Sequence, residues 1–178
     1  MQKLRVEELL EKYDRGQRDF KQVDLSQAEL FEAQLSGIDL SNSTLQNAYL
    51  PYANLENANL EGIQGQAAQL SNANLQQANL SRANLQTANL SRAKLRHAQL
   101  QGTNLAKANL QGANLSEADL RNADLRNADL RNANLTQAKL QRAQLQGANC
   151  FRAQNADLSQ AQVDGTTLNV EGYWEDFP

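Results

Sequence analysis

Residues 113–130 read ANLSEADLRNADLRNADL, and the same five-residue period, A-(N/D)-L-x-x, governs most of the chain. Among the 27 positions at multiples of five from 20 to 150, which we call centres, Leu fills 24. The exceptions are Phe20, Gly65 and Cys150. Ala occupies 21 of the 27 positions that lie two residues before a centre, which we call inner sites. A fixed internal period determines architecture before local propensity does, so the sequence predicts a repeat protein.

The period of five matches neither the spacing of a helical face nor the alternation of a strand. In each unit the Ala and the Leu are apolar, and the other three residues are mostly polar. Short extended pieces separated by turns satisfy this pattern, with Ala and Leu pointing inward. If four such pieces close one coil, residue n lies on residue n+20. Outward Asn and Gln side chains then form columns in which they can hydrogen-bond to one another.

The run of units such as Ala73-Asn74-Leu75 and Ala118-Asp119-Leu120 resembles the pentapeptide-repeat family over most of the chain. The lead-in from Leu9 to Phe20 is similar to that of members abundant in cyanobacteria. The resemblance implies an all-β fold, a right-handed quadrilateral β-helix with about four pentapeptides per coil. It implies no particular reaction, because most such members have no assigned biochemical role.

A short amphipathic helix is expected over residues 3–14, where apolar residues follow the spacing of one helical face. An isolated helix of this length is marginal in water, and the open end of a solenoid needs cover, so we expect a cap on the first coil. The chain then divides into three segments: an N-terminal capping helix in 1–17, the repeat in 18–168, and a C-terminal cap or tail in 169–178.

The first irregularity of the repeat lies at residues 63–67. Gly65 stands at a centre, and Ile63 stands at the preceding inner site. Either the larger Ile63 refills the space of the missing leucine, or the backbone bulges at Gly65.

The second irregularity follows Cys150. The next centres are expected at Leu158, Val163 and Leu168, so that eight residues replace five. This spacing predicts a three-residue insertion near 151–155.

Composition argues against several classes of protein. One Cys excludes an internal disulfide, and the chain has no Cys and His cluster for zinc, so neither a metal nor a cofactor is expected. No run of about 20 apolar residues predicts a membrane span. The acidic start, which lacks an apolar core, favours a cytoplasmic location.

The residue pattern also argues against an enzyme. Asp119, Asp124 and Asp129 are five residues apart and are therefore expected on successive sides of a coil, not around one substrate. His97 is expected on an outward corner, and Cys150 should point inward as a small hydrophobe. Nothing else assembles a nucleophile, a base and an oxyanion stabiliser.

The charge is segregated along the chain. Residues 1–81 sum to −5, residues 82–152 to +7 and residues 153–178 to −5, from the counted Lys, Arg, Asp and Glu. The basic segment 82–152 contains Arg121, Arg126 and Arg131, which are expected on successive sides of the coils as an arginine belt. Because they face different directions, they do not form one phosphate-binding patch. Nucleic-acid binding is therefore not expected.

Two groups of aromatic residues are candidate interaction sites. Large exposed apolar residues often mark such sites. The first group is expected on one side of the early coils, where it either binds a protein partner or is covered by the N-terminal helix: Phe31, Tyr49, Pro51 and Tyr52. The second group, in the tail, forms a cap or a surface for homodimerisation through the C-terminal end: Tyr173, Trp174 and Phe177.

The sequence thus favours a non-enzymatic interaction rod or scaffold with an unidentified protein partner. The alternative is inhibition of a DNA-binding enzyme such as gyrase by DNA mimicry, which the resemblance suggests. Mimicry needs a strongly acidic rod, whereas residues 82–152 are basic.

Overall fold

The computed structural model describes residues 1–168 and Glu171. The expected tail residues Tyr173, Trp174 and Phe177 therefore lie outside the described residues. The regular elements all lie near the N-terminus, and two of them, β1 and β2, form a parallel pair. In chain order they are strand β1 (Gln2–Lys3), helix α1 (Val6–Asp14) and strand β2 (Val23–Asp24).

The repeat forms a stack of coils connected by single-residue parallel bridges. From Asp19 to Asn134, the residue before each centre pairs with the residue twenty positions later, as Asn59 pairs with Asn79. The amide of every centre leucine except Leu140 donates to the coil above it; Leu75, for example, bonds the carbonyl of Lys94 at 2.8 Å. The predicted stacking of residue n on residue n+20 is confirmed, and twenty residues are four pentapeptides.

A turn follows each centre and explains the five-residue period. The third residue after a centre donates back to the centre carbonyl, as Ala78 does to Leu75 at 3.1 Å. The second residue after a centre has a positive φ at every turn from Gln22 to Arg152, whether or not it is glycine. A hydrogen-bonded turn with positive φ at this position is a type II turn.

The Asn or Asp before each centre fixes the turn through its side chain. Oδ1 of Asn79 accepts the amide of Ser81 at 3.0 Å, and Asn109 bonds Gln111 in the same way. Short polar side chains favour turns by bonding the backbone two residues on. The predicted column bonds also occur: the Asn59 amide donates to the Asp39 carboxylate at 3.0 Å. Asn and Asp are thus preferred before each centre for two reasons: they bond the turn backbone, and they bond one another along the column. Only the column bonds were predicted from the sequence.

The core is a column of leucines flanked by small residues. Every centre leucine from Leu25 to Leu145 is at most 3% exposed, and Cys150 is fully buried as predicted. Where a hydroxyl replaces Ala at an inner site, it donates to a carbonyl of the coil below. Thr103 bonds Leu80 at 2.7 Å in this way.

At the first irregularity the backbone does not bulge. The Gly65 amide bonds Asn84 at 2.8 Å, and Gln64 pairs with Asn84 in the usual register. The space beside Gly65 is filled by the side chains of Ile63 and Leu85. Of the two alternatives, the structure therefore shows that Ile63 helps to fill the space of the missing leucine.

Helix α1 begins at Val6 rather than at residue 3, because Gln2 and Lys3 pair with β2. Leu9 is fully buried within the same apolar cluster as the coil leucines. The Tyr13 hydroxyl donates to the carbonyl of Ser36 at 2.7 Å, which connects the end of the helix to the repeat.

The second irregularity differs from the predicted insertion near 151–155. Gln154 still pairs with Asn134, so the regular stack continues through this segment. Gln162 then pairs with Gln144, eighteen positions earlier rather than twenty, so two residues are missing from this coil. The pattern misled because the unit after Gln154 has no leucine to mark its centre.

Leu168 was expected at a centre but lies one position before it. Leu168 pairs with Asn149 and accepts the Cys150 amide, as residues that precede a centre do. Thr167, which is fully buried, takes the inner site and donates to the Leu145 carbonyl at 2.9 Å. The inner-site hydroxyl, rather than the leucine, sets the register here.

Candidate interaction surface

Three aromatic rings form a cluster on one side of the early coils. Phe31 follows one centre, and Tyr49 and Tyr52 flank the centre of the coil above it. The Phe31 and Tyr49 rings stack with centroids 6.2 Å apart, and the Phe31 and Tyr52 rings meet edge to face at 5.9 Å. Phe31, Tyr49 and Tyr52 are 50%, 40% and 54% exposed, so the cluster faces solvent.

Pro51, the fourth predicted member of this patch, is buried rather than outward. Its carbonyl accepts the Glu32 amide within the coil stack. The short proline ring folds back on its own backbone and cannot reach outward as the neighbouring aromatic side chains do. Pro51 therefore does not belong to the exposed surface.

Helix α1 does not cover the aromatic cluster. The three rings remain exposed, and the helix instead contacts the side of the coil at Ser36 through Tyr13. Of the two alternatives for this patch, cover by the N-terminal helix is therefore the one that the structure does not have.

Two glutamates that were not predicted from the sequence complete the cluster. Glu29 pairs with Tyr49 across the coils, and Glu32 lies twenty residues before Tyr52. Both are exposed, and neither forms an ion pair with any described residue. The twenty-residue rule places them directly beneath the two tyrosines and could have identified them. The surface thus combines three aromatic rings with two unneutralised carboxylates.

The predicted arginine belt is neutralised by its own aspartates. Nε of Arg126 donates to Asp124 at 2.8 Å, and Nη2 donates to the second carboxylate oxygen at 2.6 Å. These bonds from Arg126 hold the pKa of Asp124 below its usual value despite partial burial. The same geometry recurs in the pairs Asp119–Arg121 and Asp129–Arg131.

The remaining titratable candidates lie outward and apart. His97 has a side chain 41% exposed, and its Nδ1 lies 3.5 Å from Glu117. Arg96 donates to the same carboxylate, and this bond lowers the pKa of Glu117. Within residues 1–168 no three His, Cys, Asp or Glu side chains gather where they could hold a metal ion. No helix among the described residues is long and apolar enough to cross a membrane.

The family is decided by the extent of the repeat. The family described as "Pentapeptide repeats" matches this chain in 8 copies, over residues 17–47, 28–63, 68–105 and 113–149. The chain belongs to the pentapeptide-repeat family. No curated protein matches the sequence significantly.

Solved structures of pentapeptide-repeat proteins resemble the chain. A trypsin-treated form of QnrB1, a plasmid-mediated fluoroquinolone resistance protein, is 17% identical with a TM-score of 0.67, covering 82% of this chain and 80% of that chain. The structural similarity shows that the two proteins share a fold. Together with the family match, it shows that this pentapeptide-repeat protein is a right-handed β-helix.

Two proteins of the cyanobacterium Nostoc are similar in sequence over nearly the whole chain. HetL, a pentapeptide repeat protein involved in heterocyst differentiation regulation from Nostoc sp. strain PCC 7120, is 29% identical, covering 97% of this chain and 100% of that chain, with a TM-score of 0.42. A second pentapeptide repeat protein of the same strain is 28% identical, covering 92% of this chain and 98% of that chain, with a TM-score of 0.26.

Proposed function

We propose that this pentapeptide-repeat protein is a non-enzymatic interaction rod that docks a protein partner through Phe31, Tyr49 and Tyr52. The observation that carries the proposal is the exposure of three neighbouring rings, in which Phe31 contacts both tyrosines. Among the described residues, Met1 is the only other large hydrophobic residue that is exposed. Aromatic residues are enriched at the energetic centres of protein interfaces. Rings that pre-pack against one another lose little conformational freedom when they bind.

The rod architecture suits this role. In the proposed arrangement, four pentapeptides form each quadrilateral coil, and helix α1 caps the first coil through Leu9. The dense ladder from coil to coil holds outward side chains in fixed columns, so a partner meets a preformed surface. The three rings emerge from turn and bridge positions whose backbone is fixed by these bonds.

The chemistry of the cluster favours a partner with a basic group beside an apolar contact. Glu29 and Glu32 add two carboxylates one coil below Tyr49 and Tyr52. A cation over an aromatic face is attracted by the ring quadrupole, and a nearby carboxylate adds to the attraction. An arginine on the partner fits both features.

DNA mimicry is the weaker proposal for this chain. A mimic presents a continuous acidic surface, and residues 82–152 instead carry a net charge of +7. QnrB1 shares the fold at 17% identity, which supports no transfer of its activity. A supercoiling assay with gyrase checks the point, and we expect no inhibition at micromolar protein.

Affinity capture from the native cell extract tests the proposal. The test variant carries Phe31→Ala, Tyr49→Ala and Tyr52→Ala, and the control carries Gln76→Ala, Lys94→Ala and His97→Ala at the equivalent positions of another side. We expect one specific protein to be lost with the test variant and retained with the control. Equal recovery by wild type and both variants contradicts docking at the cluster.

A further inference from the structure

We propose that a groove near the C-terminal end of the rod binds a phosphate monoester group. The groove has a volume of about 720 Å³ and lies on a different side of the coils from the aromatic cluster. It is lined by three cationic and three amide side chains, which belong to Arg121, Lys139, Arg142, Asn122, Gln141 and Gln160.

The groove opens where the ladder between coils is interrupted. The amides of Leu135 and Leu145 bond the coil above, at 2.9 and 2.8 Å, but the Leu140 amide between them makes no backbone hydrogen bond to any described residue. The adjacent inner residue Ala138 is half-buried, whereas Ala143 is fully buried. The coil that follows is two residues short, and this shortening leaves the end of the stack uncovered at Lys139.

The charge of the lining matches a dianion. Nη2 of Arg121 lies 2.5 Å from the Asp119 carboxylate, so this pair is close to neutral. Lys139 and Arg142 form no ion pair with any described residue, which leaves two positive charges without a partner. A phosphate monoester carries a charge of about −1.5 to −2 at pH 7.

The donors in the groove suit phosphate oxygens. An arginine guanidinium presents a planar fork that binds two phosphate oxygens at once, and a lysine adds a compact point charge. The side-chain amides of Asn122, Gln141 and Gln160 add neutral donors to the lining. Because the groove is far larger than one phosphate, it has room for the group that carries it. That carrier is either a small molecule or a phosphorylated side chain.

The same features disfavour a nucleic-acid backbone. A duplex needs a row of free cations along its phosphates. The neighbouring Arg126 and Arg131 are each bonded to an aspartate on other sides of the coil. Arg126 and Arg131 therefore do not extend the free charge of Lys139 and Arg142 into such a row.

Titration calorimetry of the full chain with inorganic phosphate and with glycerol 3-phosphate, at constant ionic strength, tests the site. The test variant is Lys139→Gln with Arg142→Gln. The control is Lys94→Gln with Arg92→Gln, which removes the same charges from equivalent repeat positions elsewhere. Loss of two charged donors should raise the Kd by at least about tenfold. The control should keep the wild-type Kd.

Two outcomes overturn the proposal. Absence of saturable phosphate binding by the wild type removes the site, and an equal loss in both variants reduces it to general electrostatic attraction. A phosphoserine peptide identifies the carrier: tighter binding than glycerol 3-phosphate assigns the phosphate to a protein, and weaker binding assigns it to a small molecule. Either result of that comparison supports the site, provided that the groove variant weakens it.

Discussion

Leu85 packs directly against Gly65: its Cδ2 atom lies 2.9 Å from the point that a β-carbon on Gly65 would occupy. The Cδ1 atom of Ile63 lies 3.6 Å from the same point. The two side chains fill the volume that a leucine takes at the other centres. Ile at the inner site and Gly at the centre thus compensate for each other.

Replacing Gly65 by leucine should therefore destabilise the protein. Gly65→Leu overfills a packed core, which typically costs about 1–3 kcal/mol. Adding Ile63→Ala restores the common Ala and Leu pattern and should recover most of the loss, because contacting residues are not additive. Denaturant unfolding of both single variants and the double variant measures this. If the double variant were no more stable than Gly65→Leu, Ile63 would not be filling the space left by Gly65.

A centre leucine should matter far more than an outward polar residue. Leu105 is fully buried, and Leu105→Ala leaves a cavity that fixed coils above and below cannot close. We expect a loss of roughly 2–5 kcal/mol in the free energy of unfolding. Gln86→Ala, on the exposed surface, is the matched control and should change it little. Equal losses in thermal melting would contradict the assignment of inward and outward positions.

The repeat could be predicted from the sequence because the same residue pattern recurs in most of the coils. Many coils carry the same Leu and Ala, and one register satisfies all of them, so Leu105 and Cys150 could be placed without a structure. The predicted register was wrong near the C-terminal end, where the regular Ala and Leu pattern stops. Leu168 looks like a centre by composition, but the buried hydroxyl of Thr167 takes the inner site and moves it by one position.

The candidate surface was only partly predictable for a related reason. The stacking of residue n on residue n+20 placed Phe31, Tyr49 and Tyr52 on one side. It does not predict whether each side chain extends into solvent. Pro51 lies in the same column and is buried. The basic groove at Lys139 could not be predicted, because it depends on a shortened coil that the leucine pattern marked as an insertion.

Thr87 occupies a turn position that glycine fits better. Its φ is +59°, a conformation that is uncommon for a β-branched residue. Relief of left-handed strain, worth about 1–2 kcal/mol, should exceed the greater entropy that glycine gives the unfolded chain, about 0.4–1 kcal/mol. Thr87→Gly should therefore raise the melting temperature. Gln86→Gly, one residue earlier and without positive φ, should lower it; the opposite order would contradict the argument.

The aspartate–arginine belt predicts a dependence of stability on pH. Hydrogen bonds from Arg126 and Arg131 lower the pKa of Asp124 and Asp129 in the folded chain. A lowered folded pKa contributes stability above the unfolded value, about 3.9, and this contribution is lost as the pH falls through the folded pKa. Asp124→Asn with Asp129→Asn should therefore lower the melting temperature at pH 7. The difference from wild type should shrink below about pH 4; a constant difference would contradict the pairing.

Site-specific photo-crosslinking tests most directly whether a protein partner contacts the aromatic cluster. A benzophenone amino acid replaces Tyr52 in one variant and His97 in another, both exposed and both second after a centre. After irradiation in the native cell extract, we expect a discrete crosslinked species of higher mass from the Tyr52 position and none from the His97 position. No crosslink at the Tyr52 position, or the same products from both positions, would contradict the account.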